Sequence, residues 1–170
     1  MSEGERKKTA FEESMPAADK SREGEAYSEM HQAALRGEVA KMQQLIAMGT
    51  DVTAADENFQ QTALHFACLK GQTECAQMLL ENGADVNALN FRNRTPLHNA
   101  CLHRHLGCVR LMIENGGNMD AVDQWELTPR MSASNCKGGY PELLTPKQLE
   151  DCDGIMALFG ISEDKAPAPA

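Results

Sequence analysis

Aromatic side chains are scarce in this chain of 170 residues, which has five Phe, two Tyr and one Trp. Any packed interior must therefore be built mainly from aliphatic and other small side chains. No apolar run approaches the roughly 20 residues that a membrane-spanning helix needs. The first residues also lack the apolar stretch of a secretory signal. We therefore expect a cytoplasmic or nuclear protein, or one found in both places, that does not bind membranes.

Positive charge and catalytic motifs are also in short supply. The chain has 25 acidic and 16 basic residues, for a formal net charge of −9. This balance argues against a broad nucleic-acid-binding surface. There is no Gly-rich phosphate loop, nucleophile elbow or H-E-x-x-H motif. We therefore predict a protein that is not an enzyme, with no catalytic residues and no cofactor.

Histidines and cysteines are present, but not at the spacing of a metal site. His103 and His105 lie close to Cys101 in the sequence, yet no C-x-x-C pair or similar tetrahedral ligand spacing occurs. Asp151-Cys152-Asp153-Gly154 resembles the start of a calcium loop, but the further acidic residues do not follow at the required spacing. A helix is the better interpretation of that segment, and we predict no metal site.

What the sequence does contain is a repeat of 33 residues. Thr95-Pro96-Leu97-His98 has a counterpart 33 residues earlier in Thr62-Ala63-Leu64-His65, and Thr128-Pro129 follows 33 residues later. The segment from Asn82 to Asn87 recurs in the same register as Asn115 to Asp120. A 33-residue period with T-P-L-H near its start is typical of one architecture. This part of the chain resembles the ankyrin repeat family.

The local chemistry of each repeat fits a helix-turn-helix unit. Thr62 and Thr95 are suited to cap a helix, because a hydroxyl oxygen can accept a hydrogen bond from a free backbone N–H. Pro96 then occupies the first helical position, where its fixed φ is favourable. Gly71 can end the first helix in a left-handed conformation. Arg104 replaces that glycine in the third repeat, and we expect a different turn there.

The repeat register predicts an all-α ankyrin-repeat solenoid of about four stacked helix-turn-helix repeats. Extended connections, called fingers here, link the second helix of one repeat to the first helix of the next. The expected domain covers 27–161, with repeats at about 27–57, 58–90, 91–123 and 124–161. A disordered charged tail is expected at 1–26 and a disordered Ala/Pro tail at 162–170.

Both ends of the array depart from the repeat pattern. Lys41 and Gln44 stand where the next repeat has Cys75 and Met78, as expected of a first repeat with no neighbour on that side. The fourth repeat loses the pattern soon after it begins. An atypical C-terminal capping helix is predicted from Pro146 to Phe159. Its apolar face would contain Leu149, Cys152, Met156 and Phe159.

The cysteines and histidines mostly recur at fixed repeat positions. Six cysteines are compatible with disulfides by count, but four fall at helical core positions, where free Cys behaves as a small apolar residue. These four are Cys68, Cys75, Cys101 and Cys108. We expect them to be reduced and to resist thiol reagents until the protein unfolds. The resemblance implies structural hydrogen bonds near the capping Thr for three histidines, His31, His65 and His98.

The resemblance also implies a function. Stacked repeats form a long concave surface from the fingers and first helices. We therefore expect a non-catalytic protein-binding module, acting as an adaptor, scaffold or regulator, and we expect it to be a monomer. The alternative is a structural spacer or an assembly chaperone within a larger complex. The resemblance places variable contact positions in the fingers and at the ends of the first helices, among them Asp56, Leu102, Leu127 and Cys136.

Aromatic and basic residues cluster at these positions. The predicted partner-binding residues are Phe59, Lys70, Phe91, Arg92, Arg94, His103, Arg104 and Trp125. Aromatic and Arg side chains dominate binding hot spots, and a basic stripe on an acidic protein predicts a partner with acidic groups. Two alternatives stay open. Cations near helix C-termini can simply offset the helix dipole, and the aromatics can pack finger against finger.

Asn87 is a predicted site of asparagine hydroxylation. Leu79 lies eight residues before it and Asp85-Val86 precede it directly, which resembles the pattern modified in many ankyrin proteins. The alternative is that Asn87 only supports its finger turn.

Overall fold

The computed structural model describes residues 28–137 and 144–161. These two ranges contain eight α-helices and no β-strand, which confirms the all-α class. The predicted tails at 1–26 and 162–170, and residues 138–143 of the fourth repeat, lie outside the described residues. No helix within the two ranges is long and apolar enough to cross a membrane. The helices are α1 Glu29–Arg36, α2 Val39–Ala47, α3 Ala63–Lys70, α4 Thr73–Glu81, α5 Pro96–Leu102, α6 Leu106–Glu114, α7 Pro129–Ser134 and α8 Pro146–Leu158.

The helices form two rows. The first helices of the repeats, α1, α3, α5 and α7, pack one on the next, and the second helices, α2, α4, α6 and α8, form the other row. Each repeat therefore packs mainly against its immediate neighbours, which is the defining property of a solenoid. A single apolar core runs through the stack from Met30 to Phe159. The predicted solenoid of four repeats is confirmed.

The repeated Thr and His residues close the start of the two inner first helices, α3 and α5. In α3 the backbone N–H of Thr62 donates to Nδ1 of His65 at 3.2 Å. The Nε2 atom of His65 lies 2.9 Å from the carbonyl oxygen of Arg94, in the next finger. His98 repeats this arrangement, with its Nε2 atom 3.2 Å from the carbonyl oxygen of Leu127. The predicted structural role of these histidines is confirmed, and each one links two repeats.

The turn between the two helices of a repeat keeps the same shape even where glycine is missing. Gly37 and Gly71 have φ of 73°, and Arg104 has φ of 62°. Our expectation of a different turn at Arg104 is therefore wrong. The Nε atom of Arg104 donates to the carbonyl oxygen of Cys136 at 2.7 Å, and this bond helps to hold the unusual backbone conformation.

The two ends of the solenoid behave as the sequence predicts. Lys41 and Gln44 are exposed on α2, whereas Cys75 and Cys108 are buried at the equivalent position of the inner repeats. At the other end, α8 packs against α6 and α7. Of its predicted apolar face, Cys152, Met156 and Phe159 are buried and Leu149 is half-buried. Ile155 is also fully buried, which the sequence interpretation missed.

Candidate functional site

Each finger turn is held by a buried polar side chain. Asp56, Asn90 and Asp123 are at most 5% exposed. Each accepts hydrogen bonds from two backbone N–H groups of its own finger. These side chains point inward. The contact role that the resemblance implied for Asp56 is therefore wrong. The turns instead fix where the neighbouring side chains Phe59, Arg92 and Trp125 lie.

Five of the predicted residues form one continuous row across the fingers that lead into the second, third and fourth repeats. The rings of Phe59 and Phe91 lie 5.4 Å apart, centroid to centroid. The guanidinium of Arg92 lies over both Phe91, at 4.8 Å, and Trp125, at 5.3 Å. The guanidinium of Arg94 lies 4.7 Å from the Trp125 ring. We call these five residues the aromatic row.

The aromatic row is both packed and exposed. Phe59, Phe91 and Trp125 are 38%, 43% and 49% exposed, although they contact their neighbours. Backbone hydrogen bonds join the fingers below them, from the Phe91 N–H to the Phe59 carbonyl and from the Gln124 N–H to the Arg92 carbonyl. The aromatic side chains therefore do pack finger against finger, as one alternative held, but this packing does not bury them. It leaves more than a third of each aromatic side chain exposed to a partner.

A groove of about 400 Å³ lies between the aromatic row and the first helices. Its apolar side is formed by rings from the fingers and aliphatic side chains from α3 and α5, and His103 lies at the end of α5. The structure thus brings most of the predicted residues together, but Lys70, Arg104 and Trp125 do not line this groove. The lining residues are Phe59, Gln61, Phe66, Leu69, Asn90, Phe91, Arg92, Arg94, Asn99, Leu102 and His103.

Arg94 has a partner within the chain. Its Nε atom lies 2.9 Å from Oδ2 of Asp123, whose side chain is fully buried. Burial raises the pKa of Asp123, but hydrogen bonds from Arg94 and from the backbone N–H groups of Leu127 and Trp125 outweigh burial, so the pKa lies below its ordinary value. The charge of Arg94 is thus largely balanced inside the protein.

Other cations near the ends of the first helices, Arg104 and Lys137 among them, are also engaged. The Arg104 guanidinium bonds the carbonyl oxygen of Cys136, and Lys137 pairs with Asp153 at 2.7 Å. Burial, and then the nearby cationic groups, lower the pKa of His103, so its imidazole is mostly neutral at pH 7. Within residues 28–137 and 144–161, neither Lys70 nor Arg92 lies within salt-bridge distance of an acidic side chain. The charges of these two residues are therefore not balanced by an ion pair within those ranges.

Two buried polar atoms beside the groove lack hydrogen-bond partners within the described residues. They are Oε1 of Gln61 and Nε of Arg92. Buried polar groups are normally paired, because an unpaired one costs roughly 1–3 kcal/mol. If these side chains rotate slightly, a ligand group or a water molecule that bonds these atoms would therefore bind more tightly at this position.

Several exposed apolar side chains extend the surface beyond the eight predicted partner-binding residues, and two of them, Leu102 and Leu127, are contact positions that the resemblance implied. Leu102, Leu127 and Met131 are 47%, 37% and 46% exposed. They line a smaller cavity of about 170 Å³ next to Arg104. Met131 was missed because it replaces the family histidine and no pattern marked it. Cys136 also lines this cavity but is only 3% exposed, so its expected place on the contact surface is wrong.

Asn87 bridges two fingers. Its amide Nδ2 donates to the carbonyl of Gly116 at 3.2 Å, and its Oδ1 accepts from the backbone N–H of Asn118 at 2.7 Å. Its own N–H is bonded to the Asp85 carboxylate. Asn87 therefore supports its finger turn, and its hydroxylation stays a prediction.

The described residues show no group of three or more His, Cys, Asp or Glu side chains arranged to hold a metal ion. His103 and His105 stack with ring centroids 6.3 Å apart. The Nε2 atom of His105 lies 3.2 Å from the carbonyl oxygen of Leu69. This pair therefore contributes to packing at the end of α5.

Comparison with known proteins agrees with the architecture. The family model for ankyrin repeats, in three copies, matches residues 30–123, which is more than half of the chain. No curated protein matches the sequence. Repeats of this kind are generally protein–protein interaction modules and are typically non-catalytic. With the period, the capping residues and the two helical rows, this match shows that the chain belongs to the ankyrin repeat family.

Proposed function

We propose that this protein is a non-catalytic adaptor, scaffold or regulator that binds a partner protein through the aromatic row and the groove beside it. The observation that carries the proposal is the row itself. Phe59, Phe91 and Trp125 are each more than a third exposed, in a chain with only eight aromatic residues. Clustered exposed aromatics and arginines are typical of interface hot spots.

The rigidity of the row supports the same proposal. The guanidinium of Arg92 is held between two rings, and backbone hydrogen bonds fix the fingers relative to one another. Side chains that are already ordered lose little conformational entropy when a partner binds. The aromatic row is therefore preorganised for binding.

We further propose that the partner carries an apolar side chain next to an acidic one. The groove offers Phe66, Leu69 and Leu102 to the apolar group. Arg92 and Lys70, which have no acidic partner among the described residues, are available to a carboxylate. Because the chain as a whole is acidic, such a local positive region would orient an acidic partner during approach.

The alternative is a structural spacer or an assembly chaperone within a larger complex. A spacer needs no clustered anchors, whereas this surface concentrates them on one side of the solenoid. Met48, at the end of α2, is 81% exposed and lies outside this cluster. We further propose that the protein acts as a monomer in the cytoplasm or nucleus.

Replacing Phe91 with Ala should weaken partner binding by about 1–3 kcal/mol, or roughly 5- to 150-fold in Kd. The reason is that Phe91 contacts both Phe59 and Arg92, so its loss disrupts the centre of the row. The partner can be recovered by affinity capture from cell lysate, and Kd measured by calorimetry. Met48→Ala is the control, because it removes a still more exposed apolar side chain outside the row. Equal losses in the two variants would exclude the row as the site.

Arg92 and Arg94 should behave differently when each is replaced with Ser. Arg92→Ser should slow association and flatten its dependence on salt, because it removes a charge that is available to the partner. Arg94→Ser should instead lower the free energy of unfolding by about 2 kcal/mol, because it leaves the buried Asp123 carboxylate without its charged donor. Stopped-flow binding and urea denaturation of both variants separate these effects. Identical behaviour of the two would contradict the assignment.

A further inference from the structure

Two cysteines at the C-terminal end of the solenoid lie side by side. Cys136 follows α7 by two residues, and Cys152 lies in the middle of α8. Their sulfur atoms are 2.6 Å apart, and the residues are 3% and 0% exposed. A disulfide bond is about 2.05 Å long. Closing the bond would thus require the sulfurs to move together by only about 0.5 Å.

The residues next to these cysteines keep the two thiols opposite each other. Lys137, which follows Cys136, forms an ion pair of 2.7 Å with Asp153, which follows Cys152. On the other side, the Arg104 guanidinium holds the carbonyl oxygen of Cys136 at 2.7 Å. The backbone of Cys136 is therefore fixed by one contact with α8 and one with the turn of the third repeat.

The position of the pair in the solenoid also matters for its reactivity. Helix α8 packs mainly against α6 and α7, and no repeat lies beyond it among the described residues. Terminal elements with fewer neighbours open more readily than the middle of a structure. Local opening of α8 would expose both thiols to a small reagent and, on closing, bring them together again.

The inner cysteines differ in this respect. The thiols of Cys68 and Cys108 also form a hydrogen bond with each other, which raises the pKa of Cys68 and lowers that of Cys108. The Thr73 hydroxyl lies 3.6 Å from the Cys108 sulfur. These two lie on α3 and α6, with repeats packed on both sides. Cys75 is 1% exposed on α4, and burial raises the pKa of its thiol. The inner cysteines therefore stay protected unless the whole stack unfolds.

We propose that Cys136 and Cys152 form a reversible intramolecular disulfide that fastens the C-terminal helix to the rest of the solenoid. The oxidant is a small disulfide, such as oxidised glutathione. One protein thiolate attacks a sulfur of the oxidant and releases one glutathione thiolate, leaving a mixed disulfide. The second protein thiolate then attacks the protein sulfur of that mixed disulfide and releases the second glutathione. The protein loses two hydrogens, and the oxidant is reduced to two thiols.

The folded environment makes this reaction slow and conditional. Burial raises the pKa of the Cys136 thiol, as does the neighbouring Cys152, while the nearby Arg104 charge acts in the opposite direction. The thiolate is therefore rare until α8 opens. Because reduction by an external thiol needs the same opening, the closed disulfide would persist longer than an exposed one.

The test is to incubate the reduced full-length protein with oxidised glutathione, unfold it, alkylate the free thiols and digest it with trypsin. Trypsin places each of the six cysteines on its own peptide, with Cys136 in 131–137 and Cys152 in 148–165. We expect four free thiols and one linked pair of those two peptides, lighter than their sum by two hydrogens. The linked protein should melt roughly 5–10 °C higher than the reduced form.

Variants give a matched comparison. Cys136→Ala and Cys152→Ala should each abolish the linked peptide and the rise in Tm, whereas Cys75→Ala, at another buried cysteine, should keep both. Six free thiols after equilibration with the oxidant would overturn the proposal. So would a linked pair that involves Cys101 or any inner cysteine. Mapping in the native sequence does not depend on any variant folding.

Discussion

Ending the chain before Thr145 should lower the free energy of unfolding by roughly 5 kcal/mol. The truncation removes α8 and exposes the faces of α6 and α7 against which it packs. Ile155, Met156 and Phe159 are buried in that contact, and each large buried side chain contributes about 1.5–3 kcal/mol. Since small domains have a total stability of about 5–15 kcal/mol, the fourth repeat and part of the third should unfold as well.

Urea denaturation followed by circular dichroism measures this loss. A milder version compares two substitutions on α8. Ile155→Ala removes a fully buried side chain and should cost about 2–5 kcal/mol. Glu150→Ala removes an exposed one and should change stability by less than about 0.5 kcal/mol. If the truncated protein keeps the denaturation midpoint of the full chain, α8 is not the cap of the solenoid.

The solenoid should lose stability as the pH falls from 7 to 5. Burial lowers the pKa of His65 from 6.5 to about 4. The unfolded chain therefore binds more protons than the folded one below pH 6.5, and stability declines as the pH falls toward 4. The loss from this residue is about 2 kcal/mol between pH 7 and 5, and about 3 kcal/mol once the pH is below 4. Burial lowers the pKa of His98 in the same direction and adds to the effect.

Urea midpoints at several pH values, together with an NMR titration of the His65 ring, measure this dependence. His65→Gln supplies the control, since an amide can accept from the Thr62 N–H and donate to the Arg94 carbonyl but does not titrate. The variant should be less stable at pH 7 and should depend less on pH. A His65 that titrates near 6.5 in the folded protein would contradict the assignment.

Most of the fold could be predicted because the repeats have similar capping and turn residues at the same positions. The capping Thr, the proline in the first turn and the histidine three residues after the Thr recur at a fixed period, so each copy supports the others. Thr95 and His98, for example, form the contacts expected from Thr62 and His65. The register also located the fingers and hence the aromatic row. The row could be anticipated as a cluster, although its stacking order could not.

The sequence did not predict the side-chain contacts that lie outside the repeated pattern. Arg94 was interpreted as a cation for a partner, but the structure pairs it with Asp123, 29 residues later. Arg104 was expected to change a turn, yet its side chain reaches Cys136 in a repeat that has lost the family pattern. The contact between Cys136 and Cys152 depends on where the irregular fourth repeat places α8. Such contacts depend on how the helices pack in three dimensions, and the 33-residue repeat does not determine them.

The histidine bridges between repeats have a consequence for synthesis on the ribosome. His65 completes its hydrogen bonds only with the carbonyl oxygen of Arg94, 29 residues further along the chain. His98 likewise requires Leu127, again 29 residues later. A repeat that has just left the exit tunnel therefore cannot complete this bridge until most of the next one has followed. At about 5–20 residues per second, folding of each repeat would trail its own synthesis by roughly 1.5–6 s.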